Sequence, residues 1–108
     1  LLFKNDNNVL TNKQEILHFL KDNKSELFSD YQLTKLGLFG SFARGEETDE
    51  SDIDLIVEFE PNTENLTEKK HRIKALAEKQ FNREVDICRE KYIKPYFKSY
   101  ILQSAVYV

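Results

Sequence analysis

Apolar and polar positions along this chain follow two periods, one helical and one extended, and the switches between them mark out the elements. Thr11 and Gln14 form a capping-box pattern ahead of Ile16, Leu17 and Leu20, which recur at helical spacing. The pattern predicts a helix over 12–29, with any interruption falling at Asn23 to Ser25. Residues 33–39 are a short apolar-rich run that stops at Gly40 and reads as a strand. A glycine- and acid-rich connection follows over 40–51, with room for one helical turn at Phe42 to Arg44. Residues 53–59 (Ile-Asp-Leu-Ile-Val-Glu-Phe) give the clearest strand, stopped by Pro61.

Beyond it, Asn65 with Glu68 opens a second helix whose apolar face is Leu66, Ile73, Leu76, Ala77 and Phe81. Residues 84–88 alternate and read as a third strand. Pro95 sits at a helix start, which predicts a last short helix over 96–103, and Ala105 to Val108 form a terminal strand or an extended tail. The order α-β-β-α-β-α predicts an α+β fold, a small mixed sheet with helices packed on one face. No repeat, linker or low-complexity stretch interrupts it, so residues 1–108 are expected to form one domain.

Composition narrows the function classes. The 16 Lys and Arg against 19 Asp and Glu give a net charge of −3, which argues against direct nucleic-acid binding through a basic surface. A single nucleotide remains admissible, because metal ions can supply positive charge locally. The one cysteine, Cys88, rules out an internal disulfide and, like the absence of a Cys/His constellation, offers no zinc or haem site. No apolar run approaches the roughly 20 residues a membrane span needs, and no signal-peptide pattern opens the chain, so a cytoplasmic location without membrane contact is expected. The chain has no methionine, so its natural start is expected upstream of Leu1.

All three glycines, Gly37, Gly40 and Gly45, fall within one nine-residue window. Their plain reading is a tight strand-to-loop turn; Gly40-Ser41 at a strand end also reads as a phosphate cradle, with backbone N–H groups and the Ser41 hydroxyl as donors. Asp52 and Asp54 alter that balance. Two apart on a strand, they project from one face, while Ile53, Leu55, Val57 and Phe59 line the other. Two like charges side by side destabilise a strand unless something positive lies between them, and Mg²⁺ or Mn²⁺ is the natural counter-charge for oxygen ligands. The alternative is a solvated acidic strand start, but Asp is disfavoured in strands and occurs here twice in the most apolar segment. If the 84–88 strand neighbours the 53–59 strand, Asp86 joins the same face. Three carboxylates beside a phosphate-holding turn are what two-metal phosphoryl or nucleotidyl transfer requires, with Asp86 as a further ligand or as the base.

Gly40-Ser41, ten intervening residues, then Asp52-Ile53-Asp54 resembles the signature of the DNA polymerase β-like nucleotidyltransferase superfamily. Gly-Ser-Phe-Ala-Arg-Gly (40–45) with Ser-Asp-Ile-Asp-Leu-Ile-Val (51–57) is similar to its minimal, MNT-type members, and the likeness runs over nearly the whole chain. The resemblance implies a polymerase β palm-like fold, with Gly40 and Ser41 on the nucleotide phosphates and Asp52, Asp54 and Asp86 as catalytic metal ligands. Arg44 matches the family's loop arginine; it contacts the phosphates or forms a salt bridge that fixes the acidic loop. Also implied are ATP as substrate, two Mg²⁺ ions (or Mn²⁺), and a HEPN-domain RNase toxin as partner. The chain would act as its antitoxin by adding AMP to a toxin tyrosine. Two alternatives stand beside this: a small-molecule or RNA acceptor, and an antitoxin that neutralises by binding alone.

About 100 residues offer a nucleotide site but little surface for gripping an acceptor, which suits an acceptor that brings its own. Arg89, Lys91, Tyr92, Lys94, Tyr96, Lys98 and Tyr100 form a candidate docking stretch, or an ordinary amphipathic terminal helix. His18 and His71 read as surface residues, Cys88 as a small filler, and Phe42 as a loop anchor. Glu58 and Glu84 fall on the carboxylate face by alternation and are candidates for an outer role only.

Overall fold

The computed structural model describes residues 11–108. In chain order these form α1 (Lys13–Asp22), α2 (Lys24–Tyr31), β1 (Leu33–Phe39), α3 (Gly40–Arg44), β2 (Ile53–Phe59) and α4 (Leu66–Phe81). They continue with β3 (Val85–Arg89), a 3₁₀ turn (Glu90–Tyr92), α5 (Pro95–Ser104) and β4 (Val106–Tyr107). The four strands make one mixed sheet in the order β3-β2-β1-β4. β1 runs antiparallel to β2 and β4, and β2 runs parallel to β3. A parallel neighbour requires a crossover, and α4 supplies it between β2 and β3.

The predicted first helix is two. Asn23 closes α1 and opens α2, because its backbone N–H and its side-chain Nδ2 both donate to the Phe19 carbonyl, at 3.1 and 2.8 Å. The first cap also differs from the expected box. Asn12, in extended backbone, accepts from the Glu15 N–H at 3.0 Å, so the helix starts one residue later than a Thr11 cap would place it. Thr11 is buried instead. At α4 Asn65 holds the cap position in left-handed backbone (φ 58°) and makes no side-chain cap bond. Asn tolerates that conformation, and its carbonyl still accepts from Lys69 N at 3.0 Å.

Packing follows the alternation of the strands. Leu36 opposes Val57 and Leu38 opposes Leu55, and these pairs lie on one face with Ile53 and Val85. That face carries the core, closed over by Ile16 and Leu20 of α1, Leu27 of α2, and Ile73, Ala77 and Phe81 of α4. Leu76, expected on the apolar face of α4, is 45% exposed; the inward positions 73, 77 and 81 are spaced by four, and 76 falls off that line.

The opposite face is not bare. Ile56 is fully buried there, outside the main core. Gly37 opposes both Ile56 and Tyr107, and a Cβ at Gly37 would come within 2.8 Å of the Val106 carbonyl and 3.2 Å of the Ile56 side chain. The absence of a side chain at Gly37 thus lets β4 seat against β1. Tyr107 also donates its hydroxyl to Glu90, whose other oxygen takes Lys35 Nζ at 2.9 Å. α5 follows β3 and contacts β1 and α3. No described helix is long and apolar enough to cross a membrane.

Candidate active site

The site is built where β1 ends and β2 begins. Phe39, the last residue of β1, opposes Asp54, so the chain leaves the sheet beside that carboxylate. Gly40 then takes φ +78°, and a Cβ at this position would run into the Asp54 carboxylate. Dihedral and space both demand glycine here. The single turn of α3 follows, with Phe42 fully buried and Ala43 nearly so, which anchors Ser41 at the end of β1. Phe42 is thus a core anchor, as its place in the sequence suggested. Gly45, at φ +71°, ends the turn, and Glu46 N bonds to Ser41 O at 2.9 Å.

Asp52 immediately precedes β2, and Asp54 lies within it. The β2–β3 ladder opens with Ile53 N donating to Glu84 O at 2.9 Å and sets Asp54 directly beside Asp86. Asp52 and Asp86 are exposed, whereas Asp54 is half-buried. Burial pushes the Asp54 carboxyl up to about 6; the neighbouring charges of Asp86 and Asp52 add to the rise, and Arg44 opposes it. Asp52, Asp54 and Asp86 are not gathered into a ready cation site: among the described residues no group of three or more Asp, Glu, His or Cys side chains stands in metal-holding geometry. Their backbones nevertheless bring three carboxylates to one end of the sheet. The donor set is all oxygen, and a cation would offset both the burial of the Asp54 charge and its repulsion from Asp86 and Asp52, so these residues fit a hard divalent ion.

Arg44 donates from Nε to Glu46 Oε1 at 2.9 Å, and its guanidinium lies 5.9 Å from the Tyr100 ring centre. The salt bridge is therefore present, and the Glu46 bond holds the Arg44 pKa above its usual value. Glu58 is committed elsewhere: Arg89 grips one of its oxygens from Nε and Nη2, at 3.2 and 3.0 Å, and Lys91 N takes the other. This removes Arg89 from the docking stretch, while Tyr92, Tyr96 and Tyr100 remain 66, 75 and 59% exposed. Glu84 is exposed and contributes to the site only through its carbonyl. Cys88 is half-buried on the Asp54 face, and burial pushes its thiol pKa up, away from nucleophilic character. His18 pairs with Asp22 on the surface, and His71 is exposed.

Two residues near the site carried no sequence signal. Glu47, in the loop before β2, has a buried Oε1 without a hydrogen-bond partner. Arg83 donates to carbonyls of that same loop, and main-chain acceptors 32–35 residues away leave no mark in a pattern of side chains. A cleft of about 340 Å³ between α1, α2 and α4 is lined by Phe19, Leu27, Tyr31 and Leu76 and includes none of the candidate carboxylates.

A model of the nucleotidyltransferase domain family matches residues 11–108. A Methanocaldococcus jannaschii protein provisionally named protein adenylyltransferase MJ1379 is 38% identical over 95 residues, 87% of this chain and 95% of the relative. Protein adenylyltransferase MntA of Thermococcus cleftensis is 31% identical over 97 residues, 88% of this chain and 94% of the relative. A solved structure provisionally described as a minimal nucleotidyltransferase superposes with TM-score 0.73 at 27% identity, covering 90% of this chain and 96% of that one. The crystal structure of a toxin–antitoxin with AMP-PNP shares the fold, with TM-score 0.61 at 18% identity over 90% of this chain and 72% of that one. Family match, relatives and fold agree: the chain belongs to the nucleotidyltransferase domain family and is a nucleotidyltransferase.

Proposed function

We propose that the chain transfers AMP from Mg-ATP to a hydroxyl of a partner protein, a tyrosine of a cognate HEPN-type RNase toxin, and so acts as its antitoxin. The observation that carries the reading is the register of Asp54 beside Asp86, next to Gly40, with the Asp54 carboxyl raised to about 6. Relatives named protein adenylyltransferase, and the fold shared with a toxin–antitoxin holding AMP-PNP, support the choice of donor and acceptor.

Asp52, Asp54 and Asp86 would hold the metal. Mg²⁺ held there would neutralise the triphosphate and favour the ionised acceptor hydroxyl. Gly40 and Ser41 receive the phosphates at the β1 exit, and Arg44 adds a cation at their edge. The acceptor oxygen attacks the α-phosphorus, the bond to the β-phosphate oxygen breaks, and pyrophosphate leaves. Asp86 takes the hydroxyl proton, or would serve as a further metal ligand with the proton passing to solvent. The exposed aromatic residues of the 3₁₀ turn and α5, interspersed with Lys91, Lys94 and Lys98, form the surface that docks the acceptor.

The test is incubation with labelled ATP and Mg²⁺, with and without the candidate toxin, followed by intact mass analysis. One or more AMP units should appear on the toxin and be lost in Asp52→Ala and Asp54→Ala. A toxin inhibited equally by wild type and Asp54→Ala, with its mass unchanged, would instead establish neutralisation by binding.

A further inference from the structure

We infer that Arg83 is a positioning residue for this site: one guanidinium ties together the segments that carry Ser41, Asp52 with Asp54, and Asp86. Its Nη1 donates to Ser51 O at 2.9 Å, Asp49 O at 3.0 Å and Thr48 O at 3.4 Å. The last of these carbonyls in the chain adjoins Asp52. The same guanidinium lies 5.2 Å from the ring centre of Phe42, the buried anchor that follows Ser41. Arg83 itself stands three residues before Asp86, at the entry to β3.

The bonds within the 48–51 turn are local, from Thr48 N to Ser51 Oγ at 2.8 Å and from Ser51 N to Thr48 O at 3.1 Å. They shape the turn but leave its direction relative to β3 open. Arg83 supplies that direction. Among the described residues no carboxylate lies within ion-pair distance of it, so its charge is committed to backbone carbonyls. The cation that acts on the Asp54 charge is Arg44, which leaves Arg83 to act through the backbone it holds. A lysine could reach one carbonyl but could not also lay a planar group over Phe42.

This inference rests on the metal-site reading above, and its test separates the two. Binding of Mn²⁺ with AMP-PNP is followed by electron paramagnetic resonance for wild type, Arg83→Lys, Arg83→Ala and Asp54→Asn. Hydrogen exchange at 48–54 and thermal melting are recorded on the same samples. Both Arg83 variants should bind the Mn²⁺–nucleotide about 10- to 100-fold more weakly, the usual consequence of removing a group that orients metal ligands. Their amides at 48–54 should exchange faster while the rest of the sheet stays protected. Unchanged affinity, unchanged exchange at 48–54, or a uniform loss of protection across the chain overturns the positioning role. If Arg83→Ala does not fold, Arg83→Lys decides, since it keeps the charge and the stem. Asp54→Asn losing affinity while the Arg83 variants keep it defeats this inference alone. Asp54→Asn binding as tightly as wild type defeats the metal-site reading and the inference with it.

Discussion

At the residue scale the informative group is Asp54, a half-buried carboxyl whose position costs the fold something. Its folded pKa of about 6 lies above the ordinary carboxylate value of 3.8, so the native state holds the proton more tightly than the unfolded chain. The stability linked to that proton is fully present below about pH 3.8 and is lost as pH rises through about 6. Asp54→Asn should therefore melt higher than wild type at pH 8, with the difference vanishing by pH 4. Mg²⁺ should raise the melting temperature of wild type at pH 8 and leave Asp54→Asn nearly unmoved. Melting curves at these pH values, with and without Mg²⁺, check both statements; a wild type more stable than Asp54→Asn at pH 8 without metal would contradict the first.

Periodicity locates the elements of this chain and defines their ends less sharply. The strands at 33–39 and 53–59 were predicted with the boundaries they have, because Gly40 and Pro61 punctuate them. The helix starts depend on which of several polar side chains reaches an orphan N–H, and pattern alone does not choose between adjacent candidates. Thr11 and Asn12 were both competent; the extended backbone at Asn12 and the burial of Thr11 decided it. Asn12→Ala should accordingly cost about 1 kcal/mol in urea titration. Gln14→Ala, at the supposed reciprocal position, should stay within about 0.5 kcal/mol of wild type.

The whole molecule has an uneven surface. Residues 91–108 carry three lysines and no acid, while the chain as a whole is at −3. On this stretch the rings of Tyr96 and Phe97 lie 4.3 Å apart between centres, 75 and 47% exposed. Exposed, adjacent aromatic residues beside lysines suit an acidic protein surface carrying the acceptor. Replacing both with Ser should weaken acceptor binding by about 2 kcal/mol, measured by calorimetry. The melting temperature should hardly change, because α5 contributes no residue to the core.

From the sequence alone came the identity of the candidate chemistry, since Gly40-Ser41 and Asp52-Ile53-Asp54 are local patterns whose spacing and alternation carry their own meaning. The face that Asp86 joins was conditional on strand adjacency. Only the parallel β2–β3 ladder set Asp54 beside Asp86, because a pairing partner 32 residues away is chosen by the packing of α4 and the core. Glu58, Arg89 and Arg83 likewise could not be assigned from alternation. Alternation gives a side chain its face, but the partner on that face comes from another segment. For Arg83 those partners are backbone carbonyls that every residue possesses, so only the folded chain could single out the ones it holds.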